Sequence, residues 1–158
     1  MAGDPPGYER TDDGCFEAPF VVAYPYSRTV GDTLATFFTS MRDGVLRGTV
    51  GSDGTVYCPP AEFDPVSGAP CTTWADVSDR GAVTTWSWQA EPIDGHPLDR
   101  PFAWALIALD GSSSEMLHAV DAGSPQAMRT GMRVRARWAA ERGTGLTDIA
   151  CFEPEAAS

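Results

Sequence analysis

Five short segments in the second half of the chain alternate apolar and polar residues, and they constrain the fold more than any other feature. β-branched and aromatic residues are frequent in them, and Gly, Pro and Ser separate them, as is typical of strands. The segments are 81–90, 102–110, 115–122, 132–141 and the final LTDIACFEP at 146–154. Between the third and the fourth, SPQAMRTG predicts a short helix that Ser124 caps, Pro125 begins and Gly131 ends.

The position of that short helix favours one barrel among several. Strand periodicity alone leaves other small barrels open, but a helix between the third and fourth of five strands is typical of the OB-fold, a partly open Greek-key barrel. We therefore predict a mainly β protein whose five-stranded OB-fold domain spans 72–154. The 158 residues suffice for one such domain with an N-terminal addition.

The N-terminal part contains one helix pattern, within 27–44. Its apolar residues recur at i, i+3, i+4 and i+7, and they are Leu34, Phe37, Phe38 and Met41. Thr29 or Asp32 can cap the start of this amphipathic helix, and Gly44 ends it. The aromatic face either packs on its own domain or docks on a partner. Residues 1–26, acidic and rich in Pro and Gly, are predicted to form a flexible, extended arm.

The charge of the chain argues against nucleic-acid binding. It has 22 acidic residues and 11 basic ones, all Arg, and its net charge is −11. Binding to nucleic acid draws on cationic groups that release counterions from phosphates, and the arginines of 129–137 are interpreted as the solvent face of a strand. Trp86 and Trp88 share one strand face, where OB-fold proteins can stack bases. A module for single-stranded nucleic acid or a small ligand is therefore the alternative function.

Residues 45–71 have the frame of a small metal-binding knuckle. TVGSDGTVYCPPAEFDPVSG, at 49–68, contains a Gly-centred turn, a strand-like stretch, two prolines and a second turn. The order of the pieces resembles a family of OB-fold proteins with an N-terminal helix and a rubredoxin-like zinc ribbon, which accompany thiolase-like enzymes of acyl-CoA metabolism. The family's G-x-x-C-x-x-C-G-x-V-x-x-P-P, C-P-x-C, G-x-V and G-x-x-V-x-A correspond here to DGTVYCPP (53–60), DPVS (64–67), GAV (81–83) and GMRVRA (131–136).

The resemblance also locates the positions that hold zinc in the family. They are Val50, Asp53, Asp64 and Ser67, and none is a cysteine. Structural zinc needs four soft or imidazole donors, so we predict a degenerate ribbon over 45–71 that binds no zinc, in a chain that needs no other cofactor. We expect its shape to be held by its prolines, by packing of Tyr57 and Phe63, and by a partner. The four cysteines show no CxxC spacing and are expected to be free thiols.

Catalytic candidates are few. His96 lies near Asp94 and Asp99 in a Pro-rich loop, and His118 alternates with apolar residues in a strand. Both are interpreted as structural, and the serines at 112–114 as a tight turn. No nucleophile elbow, phosphate loop or HExxH motif is present in the sequence. We therefore assign no catalytic residue and expect the chain not to be catalytic alone.

The resemblance implies an accessory subunit for a thiolase-fold partner. PPAEFDPVSG, at 59–68, resembles the branch with a degenerate ribbon that supports thiolase-like aldolases of steroid side-chain degradation. An accessory subunit of an acyl-CoA thiolase or hydratase is a further alternative. The partner would hold most of the acyl-CoA, and a hydratase would be a further partner. The expected partner-binding residues are Phe37, Phe38, Tyr57, Pro60 and Phe63. No apolar run is long enough for a membrane span and no secretory signal is recognised, so we expect a cytoplasmic protein.

Overall fold

The computed structural model describes residues 7–19, 27 and 29–155. Within the predicted arm, strands β1 (Glu9–Arg10) and β2 (Phe16–Glu17) pair antiparallel, so this part is a hairpin and not an extended segment. Gly14, with φ 85°, closes the turn by donating its N–H to the carbonyl of Thr11 at 2.9 Å. The rest of the predicted arm, 1–6 and 20–26, lies outside the described residues.

The predicted amphipathic helix is α1 (Gly31–Arg42), shorter at both ends than expected. Neither Thr29 nor Asp32 caps it, because Val30 holds the N-cap position and makes no side-chain hydrogen bond there. On the buried face Phe37 and Met41 enter the core, and Phe38 packs partly buried against it. Among the described residues, no helix is long and apolar enough to cross a membrane.

A small sheet follows the helix and forms the ribbon, residues 45–77. Its strands are β3 (Leu46–Val50), β4 (Val56–Tyr57) and β5 (Thr73–Val77), in the order β4-β3-β5. The sequence analysis assigned 72–77 to the OB-fold domain, whereas in the structure β5 lies in the ribbon sheet. β5 pairs along its whole length with β3, from Leu46 opposite Val77 to Val50 opposite Thr73, so it belongs to the ribbon.

The barrel confirms the predicted OB-fold. Its five strands are β6 (Arg80–Gln89), β7 (Phe102–Leu109), β8 (Glu115–Val120), β9 (Arg133–Trp138) and β10 (Ile149–Pro154). They close in the order β6-β7-β8-β10-β9, with β9 pairing back to β6 and with β8 parallel to β10. The predicted helix between β8 and β9 is reduced to a 3-10 turn at Pro125–Ala127, where Ser124 makes no side-chain cap.

Alternation along β6 and β7 decides which side chains fill the barrel. Val83, Trp86 and Trp88 lie opposite Ile107, Ala105 and Ala103, respectively. The register shifts between Val83 and Thr85, so Thr84 is an extra residue, and this bulge keeps both tryptophans on the inward face. The small alanines opposite them leave room for the indole rings. A second cluster, comprising Leu98, Phe102, Ala119 and Cys151, lies on the other face of the strands.

The ribbon is joined to the barrel through the turn between β7 and β8. Ser112 and Ser114 are more than the tight turn that the sequence indicates. The Ser114 hydroxyl accepts the N–H of Cys58 at 2.7 Å, and the Ser113 N–H donates to the carbonyl of Val56 at 2.8 Å. Cys58 is fully buried at this junction, and burial raises the pKa of its thiol to about 12. Ribbon and barrel therefore meet through hydrogen bonds of the β7–β8 turn to backbone groups of Val56 and Cys58.

Candidate functional site

The ribbon carries two loops, each closed by its own hydrogen bonds. In the first knuckle, residues 50–55, the Gly51 N–H donates to the Thr55 carbonyl at 2.8 Å, and the Asp53 carboxylate accepts the Thr55 N–H at 2.9 Å. In the second knuckle, residues 64–69, the Asp64 N–H donates to the Ala69 carbonyl at 2.8 Å. Both loops are turns closed by backbone hydrogen bonds, at the two turns that the sequence indicates within 49–68.

The side chain of Asp64 connects the two knuckles. Its carboxylate, in a residue only 3% exposed, accepts the Ser52 N–H at 3.1 Å and the Ser52 hydroxyl at 2.5 Å from the first knuckle. From the second knuckle it accepts the Ser67 hydroxyl at 2.6 Å and the Val66 N–H at 3.1 Å. The hydroxyls of Ser52 and Ser67, followed by the two N–H groups, hold the pKa of Asp64 far below its usual value. We call Asp64 with these donors the Asp64 cluster.

The positions that hold zinc in a ribbon do not offer a metal site here. Val50 has no donor atom and pairs with Val56 in the sheet, and the Asp53 carboxylate is used by its own turn. The oxygens of Asp64 already accept four hydrogen bonds, one of them from the Ser67 hydroxyl. Zinc would need four deprotonated or imidazole ligands in a tetrahedron. The residues present therefore do not fit a zinc ion.

A second group of potential ligands, Asp121, Cys151 and Glu153, lies on the barrel, with ligand atoms within 4.8 Å of one another. Arginine side chains already engage all three. Arg137 lies 3.0 Å from the Cys151 sulfur and 2.9 Å from a Glu153 oxygen, and Arg100 binds Asp121. Two guanidinium charges next to these groups disfavour a cation, so we interpret them as an ion-pair network.

The expected partner-binding residues divide into buried and accessible ones. Phe37 is 1% exposed and belongs to the core, so the expectation that its ring docks on a partner is wrong for this conformation. Phe38, Tyr57 and Pro60 are half-buried. Phe63 is 54% exposed, which corrects the expectation that its packing holds the ribbon.

Sequence reasoning named Phe63 but missed the other three residues of this surface, Pro65, Val66 and Pro70. Val66 is 72% exposed at the tip of the second knuckle, on the loop that also carries Asp64. Phe63 and Val66, with the exposed Pro65 and Pro70, give this end of the ribbon an apolar surface. The sequence did contain a signal for this surface, because a valine and prolines are unusual in a solvent-exposed turn. We call these four residues the ribbon tip.

The aromatic and basic residues considered for nucleic acid have structural partners. Trp86 and Trp88 pack partly buried against the core. On β9, Arg133 and Arg135 alternate with buried residues as expected of a solvent face, and Arg133 pairs with Asp110 at 2.5 Å. Arg133 and Arg137 on this strand are thus already paired with carboxylates.

The two histidines are also structural. His96 packs edge-on against Phe102 and Trp104, with ring centres 5.6 and 6.0 Å away. His118 points into the barrel, 5.5 Å from the ring of Phe152, and its Nε2 lies 3.4 Å from the carbonyl of Leu146. Among the described residues, neither histidine shares a hydrogen-bond partner with the Asp64 cluster.

Comparisons with known proteins agree with this architecture. Residues 74–139 match the family described as "ChsH2, C-terminal OB-fold domain". A chain of the "Ltp2-ChsH2(DUF35) aldolase" is similar in structure, with a TM-score of 0.63 and 17% identity over 81% of this chain and 98% of that chain. A DUF35-family protein of unknown function from Sulfolobus solfataricus gives a TM-score of 0.57 and 14% identity, over 79% of this chain and 83% of that chain.

None of the curated proteins matches this sequence. The family match begins within β5 and includes β6, β7, β8 and β9, and the structural similarity covers most of the described chain. The chain is therefore an OB-fold protein, and its residues 74–139, less than half of the chain, are similar to the family of ChsH2 C-terminal OB-fold domains.

Proposed function

We propose that this chain is a non-catalytic accessory subunit of a thiolase-like aldolase. The observation that supports the proposal most directly is the similarity to a chain of the Ltp2-ChsH2(DUF35) aldolase, which extends over 98% of that chain and so includes more than the barrel. The family match of 74–139 points to the same group of proteins. The resemblance noted in the sequence, from 53–60 to 131–136, independently favours it.

The reaction of such a complex is the retro-aldol cleavage of a β-hydroxyacyl-CoA. The bond between the α and β carbons breaks, the β-hydroxyl loses its proton and becomes a carbonyl, and the α carbon gains a proton. The partner would hold most of the acyl-CoA and the acid–base groups, because the histidines described here serve packing. A steroid side chain is the proposed acyl group, and a hydratase that supplies the β-hydroxyl is the proposed further partner.

The ribbon tip is the proposed contact with the thiolase-like subunit. Phe63 and Val66 are 54% and 72% exposed, and an apolar surface on a turn that is fixed from within loses little freedom when it is covered. Aromatic residues are frequent anchors of protein interfaces. Tyr57, Pro60 and Phe38 are half-buried and are proposed for the rim of the contact.

Co-expression with a candidate thiolase-like protein tests the proposal. Wild type should co-purify as a stable complex that cleaves a steroid β-hydroxyacyl-CoA, while this chain alone should not. The double variant F63D/V66D should weaken the complex by at least about tenfold, since charges would be buried in an apolar contact. L117D is the matched control, because Leu117 is 60% exposed on the barrel and away from the ribbon tip.

Three outcomes would contradict parts of the proposal. A wild-type chain without affinity for any thiolase-like protein would refute the accessory role, and F63D/V66D binding as tightly as L117D would refute the ribbon tip as contact. A complex that acts only on β-ketoacyl-CoA or enoyl-CoA would replace the aldolase with a thiolase or hydratase. Salt-sensitive retention of a single-stranded oligonucleotide would favour the nucleic-acid alternative.

The proposed location of the complex is the cytoplasm. All four cysteines are free thiols, and Cys58, Cys71 and Cys151 are buried. Free thiols are the usual state of cysteines in a reducing compartment.

A further inference from the structure

We propose that the Asp64 carboxylate takes the place of the metal as the element that holds the two knuckles of the ribbon together. The inference concerns how the ribbon keeps its shape, and it does not depend on the proposed partner. It starts from the finding that the residues at the zinc positions cannot bind zinc, although both loops keep their turns.

The Asp64 cluster connects the loops in the way a central ion would. Ser52 belongs to the first knuckle, Ser67 and Val66 belong to the second, and all of them donate to one side chain. Ser52 and Asp64 are 12 residues apart in the chain. Each of these donors would be free to move with its own loop if the carboxylate were absent.

The polarity of the cluster is the reverse of that in a zinc ribbon. A zinc knuckle directs lone pairs at a cation, whereas these loops direct hydroxyl and N–H donors at an anion. A buried carboxylate is costly unless hydrogen bonds compensate for the lost water. An ionised carboxylate only accepts, and it can take about four such bonds, which is the number found here. The cluster is therefore complete without a cation.

Gly51 makes the close approach of the loops possible. A Cβ atom at this position would lie 3.1 Å from Asp64 Oδ1 and 3.1 Å from Tyr57 Cε2. Both are tighter than ordinary contacts, so a side chain at residue 51 would push the first knuckle away from the carboxylate. The glycine, the tyrosine ring and the carboxylate thus form one packed unit in place of a metal and its ligands.

The central experiment compares D64N with D53N in the full chain. Both replace a carboxylate at a former zinc position by an amide of the same shape, but only Asp64 links the knuckles. The amide nitrogen of D64N cannot accept from Ser52 and Ser67, so D64N should lower the Tm by several degrees more than D53N. Equal Tm values for D64N and D53N would overturn the proposal.

Amide hydrogen exchange gives a second readout that remains usable if D64N does not fold. S67A should speed exchange at the Ser52 amide in the first knuckle, and S52A should speed exchange at the Val66 amide in the second. If each serine made only local contacts, its replacement would not change amide exchange in the other loop. Variants whose effects stay within their own knuckle would therefore contradict the linking role of Asp64.

Metal analysis completes the test. The wild-type protein should contain far less than one zinc per chain, and EDTA should leave its Tm and its exchange rates unchanged. One bound zinc per chain that raises the Tm would overturn the proposal. This result is separate from the co-purification test, because a metal-free ribbon could still lack a thiolase-like partner.

Discussion

At the scale of single residues, His118 gives the barrel an ionisable group in its interior. It is 7% exposed, and its Nδ1 has no hydrogen-bond partner in the described part of the chain. Burial lowers the pKa of His118 below 6.5, and the weak contact with the Leu146 carbonyl only partly offsets this. Protonation therefore requires either a charge inside the barrel or a loss of packing around it.

The sign of the resulting pH dependence follows from the two pKa values. In the unfolded chain the histidine titrates near pH 6.5, whereas in the folded protein it stays neutral to lower pH. The unfolded state thus binds more protons as pH falls below about 6.5, so the free energy of unfolding decreases with acidification in that range and is unaffected above it.

Replacing His118 by glutamine should remove this contribution. Between pH 7.5 and 5.5, we expect H118Q to lose less unfolding free energy than wild type in urea titrations, because glutamine does not titrate. H96Q is the control, since His96 is the other of the two histidines and lies in a surface loop. The interpretation is wrong if H118Q keeps the wild-type slope with pH.

Two adjacent residues show what could be predicted at this scale and what could not. The absence of a zinc ligand set followed directly from residue types. The exposure of Phe63 and the burial of Asp64 did not, because two of the four hydrogen bonds to Asp64 come from Ser52, 12 residues away in the other knuckle. The sequence analysis expected Phe63 to pack and gave Asp64 only as a zinc-ligand position of the family, whereas Phe63 is 54% exposed and Asp64 3%. A local sequence pattern does not predict a hydrogen-bond network that forms only when two loops come together.

At the scale of elements, β6 is a strand with no room for a side chain at one of its positions, Gly81. It pairs with β7 on one side and β9 on the other, and Gly81 lies where all three meet, opposite Leu109 and Val134. A Cβ on Gly81 would come within 2.4 Å of the Ala108 carbonyl oxygen. Since that atom belongs to backbone in the barrel wall, it cannot move aside without disturbing the pairing.

Substitution of Gly81 by alanine should therefore destabilise the barrel. We expect a loss of roughly 1–3 kcal/mol in the free energy of unfolding, as for other over-packed core sites. Chemical denaturation followed by tryptophan fluorescence measures it. G143A is the matched control, because nothing lies within 4 Å of a Cβ there and the backbone is not left-handed. If G81A is as stable as G143A, the close approach has no energetic consequence.

The secondary-structure elements were predicted best, because alternation of apolar and polar residues indicates directly a strand with one buried face. The five barrel strands lie close to their predicted positions, and the bulge at Thr84 escaped notice because an extra residue leaves both flanking patterns intact. β5 was not among the predicted strands, and its residues were included in the OB-fold domain instead of the ribbon sheet. Periodicity can indicate that a segment is a strand, but it does not identify the strand with which it pairs. Here the partner, β3, lies more than twenty residues earlier in the chain.

At the scale of the whole molecule, helix, ribbon and barrel share one core. Phe37 and Met41 from α1, Leu46 and Cys58 from the ribbon, and Val83 and Ile107 from the barrel belong to the same buried cluster. The Arg142 side chain also donates to the carbonyl of Arg42 at the end of α1, at 2.7 Å. The described chain from α1 onward should therefore unfold as one unit, and an OB-fold barrel expressed without the helix would expose part of its core.

Truncation of Phe37 tests this shared core. F37A should cost about 3–5 kcal/mol, as for other buried phenylalanines, which corresponds to a fall of roughly 6–20 °C in Tm for a chain of this size. Four of the five tryptophans lie in barrel strands, at 86, 88, 104 and 138, so their fluorescence reports on the barrel. A shared core requires that this signal and the far-UV circular dichroism shift together in F37A.

T36A, an exposed change on the same helix, should leave both transitions in place. A barrel that melts at the wild-type temperature in F37A would show instead that the helix is an independent appendage, and the docking role first expected for Phe37 would then be open again.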